Sequence, residues 1–383
     1  MQALDGLRVI DMATVLAGPG VARYMADFGA DVIKVEAPTG DGTRRMGWIP
    51  PEGGDSYMWR LLGRGKRCIV LDLKSDDGVA AMRALVDTAD VLIENLRPGT
   101  LERLGLGPAE LLERNPRLVI LRVTGFGQDG PYAQRPGFAT LAEAMSGFAA
   151  INGEPDGPPL LPPIALTDEV TALAGAFAVM VALRHRDRTG EGQVIDVNLL
   201  ESMLQMMSAL PSAAAHLGYE QPRLGSGIPY TVPRGTFRCS DGVWVAVSTS
   251  AESVAHRVME LMNLGHDARF ASFEGRVAHR DELNDLVAAW IAARTSREVL
   301  AAFNEAQAAI APVYSMHDVL ADEHVREREV LIEVDGIVQQ APVARLSKTP
   351  GHVRHAGRPL GADTDEVLAE LESSRAERGD PGR

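Results

Sequence analysis

Two adjacent acids, Asp168 and Glu169, stand at the mouth of a long apolar run in "PPIALTDEVTALAGAFAVMVAL". From Val170 to Leu183 every residue is Ala, Val, Leu, Met, Phe, Gly or Thr. Pro162 and Pro163 bar helix before Ile164, which makes Thr167 or Asp168 a natural N-cap. In one reading the acids complement the helix dipole and satisfy orphan N–H groups, worth about 0.5–2 kcal/mol. In the other, a partly desolvated carboxylate is a nucleophile toward an electrophilic carbonyl, kept ionised by the helix N–H groups. Periodicity alone does not separate the two.

Other catalytic patterns are weaker. "TGFGQDGPY" holds a literal GxGxxG at Gly125, Gly127 and Gly130, directly after "LVILRV". A dinucleotide site needs such a loop to open a helix facing the pyrophosphate. Pro131, Pro136 and Gly137 follow instead, and no strand-ending acid stands at ribose distance, so it reads as a glycine-rich strand-end loop and no NAD is expected. There is no GxSxG, HExxH or GxxxxGK[S/T] pattern. The histidines lack ligand spacing, and Cys68 and Cys239 form neither a CxxC nor a disulfide framework, so no metal is expected either. "RGKR" (Arg64 to Arg67) reads as a solvated turn, with phosphate binding as the alternative. "DVIKVE" reads as a strand with its charges at the edge.

The elements that must position these groups alternate. "LRVIDM", "DVIKVE", "CIVLDL", "VLIEN" and "LVILRV" each suit a strand buried on both faces. Helices are expected at Val21 to Phe28, closed by Gly29, and at Asp76 to Thr88, opened by Ser75. That alternation implies βαβ units and a largely parallel sheet, whose ligands bind beyond the carboxyl ends of the strands. A Pro-, Gly- and Ser-rich stretch at 206–229 reads as a linker. After it, "GTFRCSDGVWVAVST" reads as a hairpin turning at Asp241-Gly242, followed by helices. The end, "SSRAERGDPGR", reads as a frayed tail. A net charge of −14 spread along the chain argues against nucleic-acid binding. The run Val170 to Leu183 falls short of a membrane span, and two distant cysteines fit a reducing compartment; the expectation is a cytoplasmic enzyme with no membrane contact.

Taken in order, the motifs resemble family III CoA-transferases over nearly the whole chain. "LDGLRVIDMATVLAGP", "MADFGADVIKVEAP", "RGKRCIVLDLKSDDG", "ADVLIENLRPGTLERLGLG", "NPRLVILRVTGFGQDGPY", "RPGFATLAEAMSG", "DGPPLLPPIALTDEV" and "ALRHRDRTGEGQVIDVNLLESM" succeed one another as in that family. "APVYSMHDVLADEHV" and "RPLGADTDEVL" complete the likeness. The resemblance implies an α/β fold: a large Rossmann-like domain at 1–205 completed by 326–383, and a small α+β domain at 230–325. It implies two such chains interlocked as a homodimer.

It also implies a chemistry. CoA moves from an acyl-CoA donor to a carboxylic acid acceptor, with Asp168 as covalent nucleophile and CoA entering as a substrate thioester. Family CoA contacts fall on Leu16 and Ala17, on Leu71, Asp72, Leu73 and Lys74, on Asn95, Leu96, Arg97 and Arg103, and on Pro136, Gly137, Phe138 and Ala139. At Ala37 formyl-CoA transferase has an arginine. Many transferases carry an acid where this chain has Ala139, a change expected to lower the pKa of Asp168. The related α-methylacyl-CoA racemases carry His-Asp where this chain has Phe138-Ala139, which removes one of the two proton-transfer groups a racemase needs. Racemase or epimerase activity, or CoA binding without turnover, are the alternatives.

Overall fold

The computed structural model describes residues 1–378; the end of the expected frayed tail, 379–383, lies outside the described residues. Two compact units are present. The first comprises Met1–Ser146, Pro162–Ser208 and the chain from Glu327 onward; the second comprises Gly147–Leu161 and Ala209–Arg326.

The first unit is built on six strands: β1 Arg8–Asp11, β2 Asp31–Glu36, β3 Lys66–Val70, β4 Val91–Glu94, β5 Val119–Thr124 and β6 Gln193–Asn198. They form one parallel sheet in the order β3-β2-β1-β4-β5-β6. The order reverses between β1 and β4, the switch point beyond whose carboxyl ends ligands of such sheets bind. β1, β2, β4 and β5 fall on the apolar runs of the sequence, because a strand covered on both faces has no solvated side on which to alternate; β3 begins two residues before its expected run, at Lys66 within "RGKR", and ends at Val70. β6 was not anticipated. "QVIDVN" mixes polar with apolar residues and lies at the sheet edge, mostly exposed beside β5.

Helix α1, Ala17–Asp27, starts four residues earlier than its apolar pattern suggests, with Gly18, Pro19 and Gly20 inside its first turn. Proline is tolerated there because a first-turn N–H has no intrahelical acceptor to lose. The helix α2, Asp76–Val86, is capped by Ser75, whose hydroxyl accepts from Gly78 N. α3, Ala139–Met145, follows the long loop after β5. α4, Leu166–Thr189, packs across α1, β5 and β6, and α5, Leu199–Met206, follows β6.

Glycine sets the spacing of α1 against α4. A Cβ on Gly20 would stand 2.8 Å from the Ala172 Cβ, and one on Gly175 would stand 2.8 Å from a Val21 methyl. Gly175→Val therefore forces the helices apart, and we expect it to lower stability by about 1–3 kcal/mol, read from the urea denaturation midpoint. An unchanged midpoint would show that the helices need no such approach.

α4 is not buried all round, as its composition suggested. Thr171, Ala172, Gly175, Val179 and Ala182 face the core, while Leu173, Phe177, Met180 and Val181 are exposed. At 24 residues and a mean hydropathy of 1.6 over its most apolar stretch, it is long and apolar enough to cross a membrane by length and composition. The run counted from Val170 to Leu183 is only its middle; acids stand in the first turn and Arg186 and Arg188 in the last.

The charges of the first strands are not left at edges. Lys34 and Lys66 are fully buried and converge on Asp11, Lys66 Nζ donating to its Oδ2 at 2.8 Å. Arg44 grips Glu36 through two donors and lies over the Trp59 ring. In "RGKR", Arg64 holds Asp27 and Arg67 holds Asp31 and Glu370. Its basic groups are thus neither a solvated turn nor free for phosphate.

The second unit is α+β. β7 Arg234–Arg238 and β8 Trp244–Ser248 form the expected hairpin, its turn carrying Gly242 at φ 87°, and β9 Ile310–Pro312 adds on the far side. Val245, Val247, Phe270, Leu283, Val287 and Phe303 fill its core. The stretch read as a linker holds a helix, Leu210–Leu217, with Pro211 in its first turn and three alanines sustaining it. A second hairpin, β10 Leu331–Val334 and β11 Ile337–Gln340, belongs to the first unit. The last helix, α6 Thr364–Arg378, runs through the start of the expected tail.

Candidate active site

The opening of α4 resolves the acid pair. The N-cap position is Ala165, and no side chain caps the helix, so neither Thr167 nor Asp168 is the cap that the sequence suggested. Glu169 accepts from Arg23 Nη2 at 3.1 Å and from the Tyr24 hydroxyl at 3.2 Å, tying α4 to α1. Asp168 is half-buried, and among the described residues no donor hydrogen-bonds to its carboxylate. Burial first, then the charges of Glu143 and Glu169, push its pKa up to about 6. The helix terminus was expected to keep it ionised; desolvation and like charge outweigh that effect. A carboxylate with few hydrogen bonds and a raised pKa is a better nucleophile than a solvated one.

The other sequence-selected residues gather along the carboxyl edge of the sheet. Leu16 and Ala17 lie where the loop after β1 enters α1. Thr14 N donates to Asn95 Oδ1 at 2.8 Å and Asn95 Nδ2 donates to Thr14 O at 2.7 Å, joining the loops after β1 and β4 across the switch in strand order. Between them Val15 takes φ 67°, a backbone that a β-branched residue rarely adopts, so this joint holds the loop in an unusual shape. Leu96 N donates to Glu94 Oε2, turning the chain out of β4.

Leu71 to Lys74 follow β3. Leu71 is buried in the core and offers only backbone, whereas Asp72 and Lys74 are exposed and Leu73 is partly covered. Lys74, Arg97 and Arg103 are exposed and form no ion pair among the described residues; Arg103 donates to Thr100 Oγ1. They are the site-edge cations that internal pairing leaves available. Gly125 and Gly137 close the loop after β5 on itself. A Cβ on either would come within 2.6 Å of the other's Cα, so only glycine fits both positions. Pro136, Gly137 and Phe138 lead from this joint into α3, where Ala139 is the first residue; Phe138 is 66% exposed.

Glu143 escapes the sequence reading, and Thr167, expected only as a cap, has another partner. Glu143 is 3% exposed on α3, and Thr167 Oγ1 donates to its Oε1 at 3.0 Å. Glu143 stands four residues after Ala139, on the same face of α3, and its charge raises the Asp168 pKa where a lowered one was expected. The four-residue offset from Ala139 was the available signal.

Residues 4–364 match the sequence profile of CoA-transferase family III. The chain is 40% identical to the succinyl-CoA–L-malate CoA-transferase beta subunit of Chloroflexus aurantiacus, across 96% of this chain and 94% of that one. It is 35% identical to the succinate–glutarate CoA-transferase of Agrobacterium fabrum, across 97% and 96%. In structure it is similar to a CAIB/BAIF family protein from Brucella suis, with a TM-score of 0.86 and 32% identity, covering 97% of this chain and 99% of that one. The fold, the loops at the carboxyl edge of its sheet and these likenesses agree: the chain belongs to CoA-transferase family III, enzymes that move CoA between an acyl-CoA and an acid.

Proposed function

We propose that this enzyme carries CoA from donor to acceptor through a covalent intermediate on Asp168. The observation that carries the reading is the half-buried Asp168 carboxylate, poor in hydrogen bonds, at the opening of α4. An Asp168 oxygen attacks the thioester carbonyl; a C–O bond forms, the C–S bond breaks, and CoA leaves as thiolate. The thiolate then attacks the aspartyl carbonyl of the mixed anhydride. The donor acid departs as carboxylate, and the thioester energy is kept in an aspartyl–CoA bond. The acceptor carboxylate reverses the sequence. Phe138 offers no proton to an α-carbon, so transfer is favoured over racemisation.

Lys74, Arg97 and Arg103 are suited to the CoA phosphates and the Leu16–Ala17 and Pro136–Ala139 backbones to its thiol arm. The names of the relatives support short dicarboxylic acids as donor and acceptor, with succinyl-CoA as the first donor to test. The exposed apolar stripe of Leu173, Phe177, Met180 and Val181 supports pairing with a second copy, which would cover it. The L-malate relatives are named as alpha and beta subunits, so a related second chain is the other outcome of a sedimentation test. Free, buried Cys68, its thiol pushed up to about 12 by burial, and buried Cys239 suit a reducing cytoplasm.

Succinyl-CoA incubated with a panel of carboxylic acids should yield new CoA thioesters on chromatography, with ping-pong kinetics. Hydrolysis alone, or α-proton exchange without transfer, would refute the reading. The rate should also report the nucleophile. Asp168 must be ionised to attack, so kcat/KM should be level above about pH 6 and fall about tenfold per unit below it. A rate level down to pH 4.5 would exclude it.

A further inference from the structure

Glu143 is a buried acid that the transfer chemistry above leaves without a role. It lies on α3, 3% exposed, and its carboxyl is held by the hydroxyl of Thr167, itself fully buried and adjacent in sequence to Asp168. Among the described residues no lysine, arginine or histidine pairs with it. A carboxylate taken from water without a cation is costly, and that cost is retained here beside the nucleophile. The groups facing the pair are few. α4 contributes Asp168 and Glu169; α1 contributes Arg23 and Tyr24, both engaged with Glu169; α5, packed on α3, contributes the exposed Glu201.

We propose that Glu143 is a positioning residue for the transfer reaction: held by Thr167, its negative charge destabilises the free Asp168 carboxylate and thereby favours its conversion to the neutral aspartyl–CoA thioester. The inference rests on Asp168 being the nucleophile. The charge balance carries it. Before the first half-reaction Asp168 carries a charge that Glu143 opposes; after it, the aspartyl group is neutral and the charge has left with the donor acid. Repulsion is present in the resting enzyme and absent in the covalent intermediate, so the electrostatic work is recovered on acylation. The raised pKa of Asp168, to which Glu143 contributes, is the resting-state sign of the same repulsion.

The test is Glu143→Gln, which keeps an oxygen to accept from Thr167 and removes the charge. The acid limb of kcat/KM should move down by about one pH unit, and the ratio of aspartyl–CoA to free enzyme, at fixed succinyl-CoA and succinate, should fall about tenfold. Glu143→Asp should restore part of both. Should Glu143→Gln fold poorly, Thr167→Val serves: it keeps both acids, frees Glu143 from its tether, and should move the limb the same way by less. An unmoved limb and an unchanged adduct ratio in whichever variant folds would overturn the inference while leaving Asp168 as nucleophile. Absence of any adduct in the unsubstituted enzyme would overturn both.

Discussion

Asp168→Asn should abolish CoA transfer, by a factor on the order of 10⁴ or more, while making the protein more stable. The first effect follows from the proposed role, since an amide cannot form the anhydride and loss of a covalent nucleophile removes the whole route. The second follows from the raised pKa. An acid whose folded pKa of about 6 exceeds its ordinary 3.8 binds its proton more tightly when folded. Between those pH values the folded state holds more protons than the unfolded state, so stability declines as pH rises through the window. Above about pH 6 the full penalty is present, roughly 2 kcal/mol after allowance for the partial exposure of the group. Asp168→Asn removes it. Urea denaturation should show the variant more stable by about that amount at pH 7.5 and equal to the parent near pH 4. A variant that is inactive and also less stable at pH 7.5 would mean that Asp168 is structural. Activity bought with stability is the usual mark of a functional site.

Arg64→Ala should have the largest effect on folding. Arg64 is 2% exposed, donates to both oxygens of Asp27 at 2.9 and 2.6 Å, and gives its third nitrogen to Gln340 O at 2.6 Å. One side chain thus links the end of α1 to β11. Its removal strands a buried carboxylate whose pKa burial already raises, and we expect a loss of about 3–5 kcal/mol in urea denaturation. Arg64→Met combined with Asp27→Leu should recover most of it, because the stranded charge and not the lost attraction dominates. A loss below about 1 kcal/mol for Arg64→Ala would contradict the assigned role.

The sheet was readable where burial dictates composition. β1, β2, β4 and β5 are rich in Val, Ile and Leu because both faces are covered, and β2 has its expected bounds, Asp31–Glu36, whereas β3 starts two residues early because Lys66 is buried by pairing with Asp11. β6 was passed over because Gln193, Asp196 and Asn198 interrupt its apolar residues, as a largely exposed edge strand allows, and "QVIDVN" matches no buried-strand run. The entry to α1 was hidden by Gly18, Pro19 and Gly20, which punctuate loops in sequence but here let two helices approach. The basic residues of the first quarter misled for a related reason. Composition counts charges but not partners, and Lys34, Arg44, Arg64, Lys66 and Arg67 all face acids that the fold brings near.

The acid pair shows the same boundary. Sequence could place Asp168 and Glu169 in one helical turn, and only the fold separates them, sending Glu169 to Arg23 and leaving Asp168 without a hydrogen-bond donor among the described residues. Glu143 was easily passed over because, apart from its four-residue offset from Ala139, a single acid in "ATLAEAM" looks like a surface residue until α3 turns it inward against Thr167.

The central claim, that CoA passes through Asp168, is open to one direct measurement. The enzyme is incubated with succinyl-CoA without acceptor, quenched in acid, digested, and its peptides examined by mass spectrometry. The account predicts CoA in thioester linkage to the peptide carrying Asp168, discharged by an acceptor carboxylate. An unmodified Asp168 peptide from enzyme that turns over at its full rate would contradict it.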